Sequence, residues 1–393
     1  MNARKPLLIL WALLLIIGMP IHLGAEEGVT DTEIHIGQFG PLSGPAKLWA
    51  DCVYGADIVF KMVNKAGGIH GRKIVYHPLD DSYNPAKTKA GVKQLQETVG
   101  IFAWVGGVGT ATGMAVKDYL INRNVPWVGP LSGSEVWVTP PVKTIFALYP
   151  HYTFSAKVLC RHAVKVLGKK RIAIVYLNDP FGQNGLDGAR KALAEYGLEL
   201  TAAVPVDRNE TNMNPATLEL RKAEPEVVIL WMDPFKSLRL LTLAKQMGLA
   251  PQWMSGSMFG DFPQMHKLSK GLIEGMITDN YVQYENKAAI EKYKNALAEF
   301  GDKQATWGVS LIAGIGYAEV LVEGLNRTGP DLTREKFIAA LESIQNLTGI
   351  AASVSYKPFN PGDPSCRYGI KEVYLQQCLP GGETKVITGW LSD

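Results

Sequence analysis

The sequence has 393 residues, of which 47% are hydrophobic and 20% are charged, a balance typical of a folded protein with enough chain for two or three domains. Its 40 basic and 37 acidic residues give a formal charge of +3. A chain this close to neutrality argues against nucleic acid or an anionic membrane surface as a partner.

The first 25 residues have the order of a secretory signal peptide. Arg4 and Lys5 precede the apolar run LLILWALLLIIGM, and the small residues Gly24 and Ala25 follow it. The run is short for a membrane span. We therefore predict that residues 1–25 are removed on export to the periplasm, with an uncleaved anchor as the alternative.

Strand-like and helix-like segments alternate along the chain, and this alternation predicts βαβ units with parallel sheets. The first set predicts strands at 34–39, 74–79, 101–106 and 125–130, with helices at 47–66, 86–98 and 111–123. The second set predicts strands at 171–177, 198–206, 227–232 and 252–256, helices at 183–196, 235–247, 287–300 and 305–326, and short strands after about 350. Because no long linker separates the sets, we predict two lobes that share a hinge.

Residues 64–85 contain carboxylates and histidines that could suggest a catalytic loop. Gly67 and Gly68 suit the positive φ angles that end a helix. His70 and His77 are not at a ligand spacing on one face, and Pro85 suits the start of a helix. We interpret this stretch as the joint between a helix and a strand.

Four cysteines remain after the predicted cleavage, and no CxxC pair or Cys/His cluster with zinc spacing occurs. Cys366 and Cys378 flank the strand-like run YGIKEVYLQQ. Since export permits disulfides, we predict a bridge between these two. Cys52 and Cys160 look like solitary buried thiols, and no metal site is predicted.

Several ordered segments together resemble the periplasmic branched-chain amino-acid binding proteins, the type I solute-binding proteins of ABC importers. The segments are GPLSGPA at 40–46, GADIVFKMVNKAGGIHGRKI at 55–74, DDSYNPAKT at 80–88, FAWVGGVGTATG at 102–113, VPWVGPLSGS at 125–134, RIAIVYLNDPFGQNG at 171–185 and FNPGDPS at 359–365. They cover nearly all of the mature chain.

The resemblance implies an α/β fold of two Rossmann-like lobes with parallel-sheet cores, joined by a three-segment hinge. Lobe 1 would comprise residues 26–149 and 280–352, and lobe 2 residues 150–279 and 353–393. The hinge segments would lie near 148–152, 277–281 and 350–356.

The glycine-rich run at 106–113 approaches a dinucleotide-binding fingerprint, but the next strand ends without the acidic residue that holds a ribose. We therefore predict no nicotinamide or flavin cofactor. A glycine turn before a helix N-terminus also favours an anion such as a carboxylate. In the resembled family this loop holds the ligand's carboxylate, which points to the Thr110 hydroxyl and the Ala111 backbone.

The resemblance also places ligand contacts in the loop after the fourth strand, at Leu131 and Gly133. The family uses a backbone carbonyl and a hydroxyl there. Gly133 has no hydroxyl, so Ser132 or Ser134 would have to supply it.

Aromatic covers of the ligand are implied at Trp49 and Phe181, on opposite lobes, although either could be an ordinary loop aromatic. Asp233 and Ser257 fall near the family's ammonium-binding positions. The second of these is usually acidic in amino-acid binders, and Asp233 could equally cap the helix that follows it.

These residues retain the groups that would bind the carboxylate of an amino acid, but they lack one of the acidic groups that would bind its ammonium. Trp49, Leu131, Phe181, Trp231 and Phe259 would give bulky walls, although Trp231 could instead face the core. We predict a ligand with a carboxylate or similar acceptor that is not a standard branched-chain amino acid.

The sequence contains no GxSxG elbow, HExxH motif or P-loop, so an enzyme is not predicted. The resemblance implies a monomeric periplasmic protein that captures a small carboxylate-type or amino-acid-like ligand between its lobes and delivers it to the membrane subunits of an ABC importer. The alternatives are a sensory ligand-binding subunit and an exported enzyme.

Overall fold

The computed structural model describes residues 26–44, 46–283 and 286–393, and the predicted signal peptide lies outside these residues. The strands in this part of the chain are β1 (Glu33–Gly40), β2 (Lys73–Asp80), β3 (Ala103–Val105), β4 (Trp127–Val128), β5 (Ile145–Phe146), β6 (Ile172–Leu177), β7 (Ala202–Val206), β8 (Val227–Trp231), β9 (Gln252–Ser255), β10 (Ile277–Asn280), β11 (Glu372–Cys378), β12 (Thr384–Val386) and β13 (Leu391–Ser392).

The α-helices alternate with these strands. They are α1 (Asp51–Lys65), α2 (Pro85–Thr98), α3 (Thr110–Asn122), α4 (Tyr152–Lys165), α5 (Pro180–Ala194), α6 (Asn214–Ala223), α7 (Pro234–Gln246), α8 (Phe262–Ser269), α9 (Lys287–Phe300), α10 (Val309–Thr328) and α11 (Arg334–Glu342). Short 3-10 helices occupy Lys47–Trp49, Glu135–Trp137, Ser257–Phe259, Pro364–Arg367 and Pro380–Gly382.

The strands form two sheets, and each is the core of one lobe. The first sheet has the order β2-β1-β3-β4-β5 and is parallel throughout. The second has the order β12-β11-β10-β9-β8-β6-β7, parallel from β10 to β7 and antiparallel at β11, β12 and β13. The predicted α/β fold with two parallel-sheet cores is confirmed.

Helices cover both faces of each sheet, so the central strands are apolar along their length. Every residue of β6 and β8 is buried. Helices α9, α10 and α11 return to lobe 1, where α10 packs between α1 and α11. By length and composition alone α10 could span a membrane, but 72% of its most apolar window is buried inside the protein.

Helices α1 and α10 approach each other unusually closely because glycines lie at their crossing. A Cβ atom on Gly55 would lie 2.2 Å from the carbonyl oxygen of Leu311, and one on Gly314 would lie 2.1 Å from that of Cys52. The crossing therefore holds Cys52 at a fixed place in lobe 1.

The chain passes between the sheets three times. The first passage joins β5 to α4, and the second joins β10 to α9. The third precedes β11, later than the predicted segment near 350–356. Arg367 explains the difference: it donates to the carbonyls of Val142 and Lys143 at 3.2 Å and pairs with Glu342 at 2.5 Å, which keeps residues 356–367 on lobe 1.

The predicted disulfide between Cys366 and Cys378 is absent from the structure, where all four cysteines are free and buried. Cys366 lies in the 3-10 helix held on lobe 1, whereas Cys378 ends β11 in the second sheet. Seven extended residues separate the start and end of β11 by about 20 Å. A disulfide needs Cα atoms about 4.4–6.8 Å apart, so the intervening strand is too long and too straight for the bridge.

Candidate functional site

A cavity of about 700 Å³ lies between the lobes. Its wall is built from the segments that follow β1, β2, β3 and β4 on lobe 1 and β6, β7, β8 and β9 on lobe 2. These are the carboxyl ends of parallel strands, where open α/β sheets bind ligands. The lining residues are Ala46, Leu48, Trp49, Cys52, Ser82, Tyr83, Val108, Gly109, Thr110, Leu131, Tyr149, Tyr152, Leu177, Phe181, Arg208, Asn209, Thr211, Met232, Asp233, Pro234, Phe235, Lys236, Arg239, Ser257, Met258, Asp261, Gln264, Met265, Tyr281, Val309, Ser310 and Ala313.

Thr110 is the first residue of α3, directly after Gly109, and both line the cavity. Gly109 has a φ angle of +103°, and a Cβ atom there would lie 2.5 Å from the Tyr83 ring, so only glycine fits. The Thr110 hydroxyl lies 2.8 Å from the Ser132 hydroxyl. Since the first N–H groups of a helix lack intrahelical acceptors, this corner offers several hydrogen-bond donors to an anion.

The loop after β4 contributes less to the wall than the sequence predicted. Leu131 lines the cavity, but its carbonyl accepts the Gly109 N–H at 3.2 Å. Ala111, Ser132 and Gly133 are not in the lining. Ser132 lies behind Thr110, and the Gly133 carbonyl accepts the Tyr152 N–H at 2.7 Å.

The two predicted aromatic covers line the cavity from opposite lobes. Trp49 lies in the short helix before α1, and its ring centre is 5.5 Å from that of Tyr83. Phe181 lies in the first turn of α5 and packs edge-on against Tyr152, with ring centres 4.9 Å apart.

Trp231 and Phe259 do not line the cavity, so the alternative of a core position holds for Trp231 and the predicted lining is wrong for Phe259. Both are fully buried in the core. Strand alternation turns the Trp231 ring toward α5, where it stacks 6.0 Å behind Phe181. These two side chains support the wall without forming it.

The two predicted ammonium positions both line the cavity but are already engaged. The Asp233 carboxylate caps α7 by accepting the Lys236 N–H at 3.0 Å, and its other oxygen lies 3.4 Å from the Lys236 Nζ. The Ser257 hydroxyl lies 2.5 Å from the Tyr149 hydroxyl.

Several lining residues were missed by sequence reasoning, and Tyr83 is the clearest example. Asp81 is fully buried, accepts the Tyr83 N–H at 2.8 Å and accepts the Thr88 hydroxyl at 2.8 Å. This Asx turn holds Tyr83 at a φ of +59° on the cavity wall. The run DDSYNP carried a signal for the turn, although not for the direction of the ring.

Tyr149, Tyr152, Arg208 and Tyr281 are further lining residues without a sequence signal. Tyr149 and Tyr281 lie in the first two passages between the lobes, with ring centres 4.9 Å apart. Tyrosine side chains from the hinge therefore form part of the cavity wall.

Asp261 connects the two lobes at one side of the cavity. Its carboxylate caps α8 through the Gln264 N–H at 3.2 Å and also accepts the Val309 N–H of α10 at 3.2 Å. Burial raises the pKa of the neighbouring Asp51 to about 6, and the charge of Asp261 adds to that rise. Asp51 itself accepts the Thr306 N–H at 3.0 Å, which opposes the rise.

Comparisons with known proteins agree with this geometry. A family model described as "Periplasmic binding protein" matches residues 33–363. The Leu/Ile/Val-binding protein homolog 3 of Brucella melitensis is 28% identical over 199 residues, which are 50% of this chain and 53% of that protein, so the match spans about half the relative's length.

Two further comparisons cover more of the chain. The leucine-, isoleucine-, valine-, threonine- and alanine-binding protein of Pseudomonas aeruginosa is 22% identical over 81% of this chain and 84% of its own. The crystal structure of a branched-chain amino acid ABC transporter from Thermus thermophilus with bound valine superposes with a TM-score of 0.82, at 19% identity over 93% of this chain and 98% of the other. At this identity the structural likeness shows the fold.

Proposed function

Because the chain belongs to the periplasmic binding protein family, we propose that it captures a small carboxylate-type or amino-acid-like ligand outside the cytoplasm and delivers it to the membrane subunits of an ABC importer. The observation that carries the proposal is the cavity of about 700 Å³, whose wall comes from both lobes. A ligand that contacts both lobes favours the closed arrangement, and closure is the signal that an importer can read.

In the proposed site the ligand's anionic end meets Thr110 and the N-terminus of α3 on lobe 1. Trp49 and Phe181 cover its body from opposite sides. Leu131, Asp233 and Ser257 complete the wall, with Ala111, Ser132 and Gly133 supporting it from behind. The protein acts as a monomer and needs no cofactor.

The experiment begins with native mass spectrometry of protein purified from its own periplasm, because a closed cleft retains its ligand. The retained compound should raise the melting temperature of the stripped protein. Deleting the gene should abolish uptake of that compound by the host. Unchanged uptake of the retained compound in the deletion strain would refute import, and turnover of that compound would indicate an enzyme instead.

A further inference from the structure

Both carboxylates on the cavity wall already accept hydrogen bonds from helix N-termini. Asp233 holds the Lys236 N–H at 3.0 Å and lies 3.4 Å from its Nζ, and Asp261 holds two backbone N–H groups at 3.2 Å each. A ligand ammonium would need a paired negative charge, because a buried cation without one is strongly disfavoured. No free carboxylate for that pairing is present in the described lining.

The uncharged acceptor at the predicted ammonium position is also engaged. The Ser257 hydroxyl and the Tyr149 hydroxyl lie 2.5 Å apart, with both residues buried. A serine hydroxyl can still accept a hydrogen bond from an ammonium, but it has no negative charge to pair with one. The structure therefore disfavours an amino group at both positions where the sequence resemblance places one.

The lobe 2 wall also carries three basic side chains. Arg208, Lys236 and Arg239 line the cavity against the two carboxylates. Arg208 is paired with Asp179 at 2.9 Å, and the Lys236 side chain is only 14% exposed. Lobe 1 adds the Thr110 hydroxyl and a helix N-terminus, which also favour an anion.

The remaining wall is mostly apolar and aromatic, with Trp49, Tyr83, Phe181 and Met258 among its members. A volume of about 700 Å³ lies in the middle of the range of about 300–1,000 Å³ that suits drug-sized molecules. We infer that the ligand is a monocarboxylic acid with a bulky apolar or aromatic body and no amino group. This inference deepens the proposed function and rests on it.

Matched pairs of compounds test the inference by calorimetry. We would compare 3-phenylpropanoate with phenylalanine and 4-methylpentanoate with leucine, since each pair differs by the amino group alone. The acid of at least one pair should bind about tenfold more tightly than its amino acid, and 3-phenylpropanamide should bind more weakly than its acid. An amino acid that binds as tightly as its acid would overturn the inference and leave the solute-binding function intact.

If neither pair of compounds binds, the inference is tested on the compound that the protein retains when it is purified from its own periplasm. An acid without an amino group supports the inference, and a compound that carries one overturns it. If the purified protein retains no compound and binds none of those tested, the proposed function is refuted as well.

Two charge variants add an independent test. Asp233→Asn keeps the helix cap but removes a negative charge from the wall, so affinity for the acid should rise about twofold or more. A loss of about tenfold in the affinity of this variant for phenylalanine or leucine would show that Asp233 is the counter-charge of an amino group, which overturns the inference. Asp187→Asn, on the exposed face of α5, is the control.

Lys236→Gln should weaken binding of the acid, with Lys245→Gln at the far end of α7 as its control. Equal affinities in these two lysine variants would contradict the role of positive charge on the wall.

Discussion

The guanidinium of Arg208 lies 5.5 Å from the centre of the Tyr83 ring, and the two residues come from opposite lobes. Asp179, at 2.9 Å, holds the guanidinium from the lobe 2 side. The pair therefore bridges the two walls of the cavity, and its cation–π attraction is present only while the lobes are close.

Replacing Tyr83 tests this bridge. Tyr83→Ala removes the ring and should weaken ligand binding about two- to fivefold, since an exposed cation–π contact contributes about 0.5–1 kcal/mol. Tyr83→Phe keeps the ring and should preserve the affinity. Titration calorimetry gives the affinities, and small-angle scattering of the unliganded protein should show a larger radius for Tyr83→Ala. Equal scattering and equal affinity for the two variants would contradict a bridging role.

Thr110→Val should remove most of the stabilisation that the ligand supplies. At a ligand concentration of 100 times the dissociation constant, that stabilisation is about 2.7 kcal/mol. Thr110 is only 2% exposed and bonded to Ser132, so the unliganded variant should also lose about 1 kcal/mol. Thr110→Ser keeps the hydroxyl and is the matched control. A full ligand-induced shift in the melting temperature of Thr110→Val would place the anion elsewhere.

Trp49→Ala tests the apolar cover separately. Trp49 is partly exposed and packs on Tyr83 with ring centres 5.5 Å apart. Its removal should therefore reduce ligand affinity with little change in the unliganded melting temperature. Differential scanning fluorimetry with and without ligand measures both quantities. A large fall in the unliganded melting temperature, with affinity retained, would assign Trp49 a structural role.

Asp279 makes stability depend on pH. Burial raises its pKa to about 7, although the Ser155 hydroxyl donates to it at 2.9 Å and opposes the rise. Between about pH 4 and 7 the folded protein holds a proton that the unfolded chain has released, so this group's contribution to stability falls as pH rises, by about 1.4 kcal/mol per unit. Above about pH 7 the contribution is constant.

Asp279→Asn removes that dependence, so its stability relative to the parent should increase from about pH 4 to pH 8. Urea unfolding of the two proteins across this range gives the difference directly, and contributions of other groups cancel. Parallel curves would mean that Asp279 ionises normally in the folded protein.

The four buried thiols predict an insensitivity to reductant. Alkylation in denaturant without reductant should label all four cysteines, and reductant should add no further label. In the folded protein labelling should be slow, because burial raises the pKa of Cys160 to about 12 and that of Cys378 to about 11. Intact mass spectrometry provides the count. Two missing labels that reductant restores would establish a disulfide.

The close crossing of α1 and α10 predicts which glycines tolerate a methyl group. Gly55→Ala and Gly314→Ala would each place a Cβ within 2.2 Å of a carbonyl oxygen, so each should lower the free energy of unfolding by about 1–3 kcal/mol. Gly389→Ala meets no atom within 4 Å and should change it by less than about 0.5 kcal/mol. Chemical denaturation measures these values, and equal stability in all three would contradict the close approach.

Local patterns predicted most of the strands and helices of lobe 1, because buried strands and helix caps are encoded within a few residues. The strand predicted at 34–39 is β1 (Glu33–Gly40), and the helix predicted at 287–300 is α9 at those bounds. Helices α4, α6, α8 and α11 were missed. Helices α6, α8 and α11 are eight to ten residues long, and so short an amphipathic pattern gives little periodicity. Helix α4 has 14 residues and lies where the chain passes from one lobe to the other.

The candidate site also has residues that local sequence predicts and residues that it does not. Gly109 and Thr110 could be predicted because a strand, a turn and a helix N-terminus follow one another in the chain. Tyr149, Arg208 and Tyr281 could not, because they meet only when two separate sheets pack across a shared cleft. The failed disulfide has a similar cause: Arg367 fixes Cys366 on lobe 1 through contacts about 225 residues away in sequence.

Asp261 bonds to the first turns of two helices, α8 on lobe 2 and α10 on lobe 1. Rotation of the lobes apart would leave the Val309 N–H to water. Because this hydrogen bond favours the closed arrangement without a ligand, we expect the unliganded protein to be closed for part of the time. An importer that recognises only the closed shape would then bind unliganded as well as liganded molecules of this carrier protein. Its rate of uptake would depend on the ratio of solute to carrier in the periplasm, and overproducing the carrier at low solute would slow import rather than speed it.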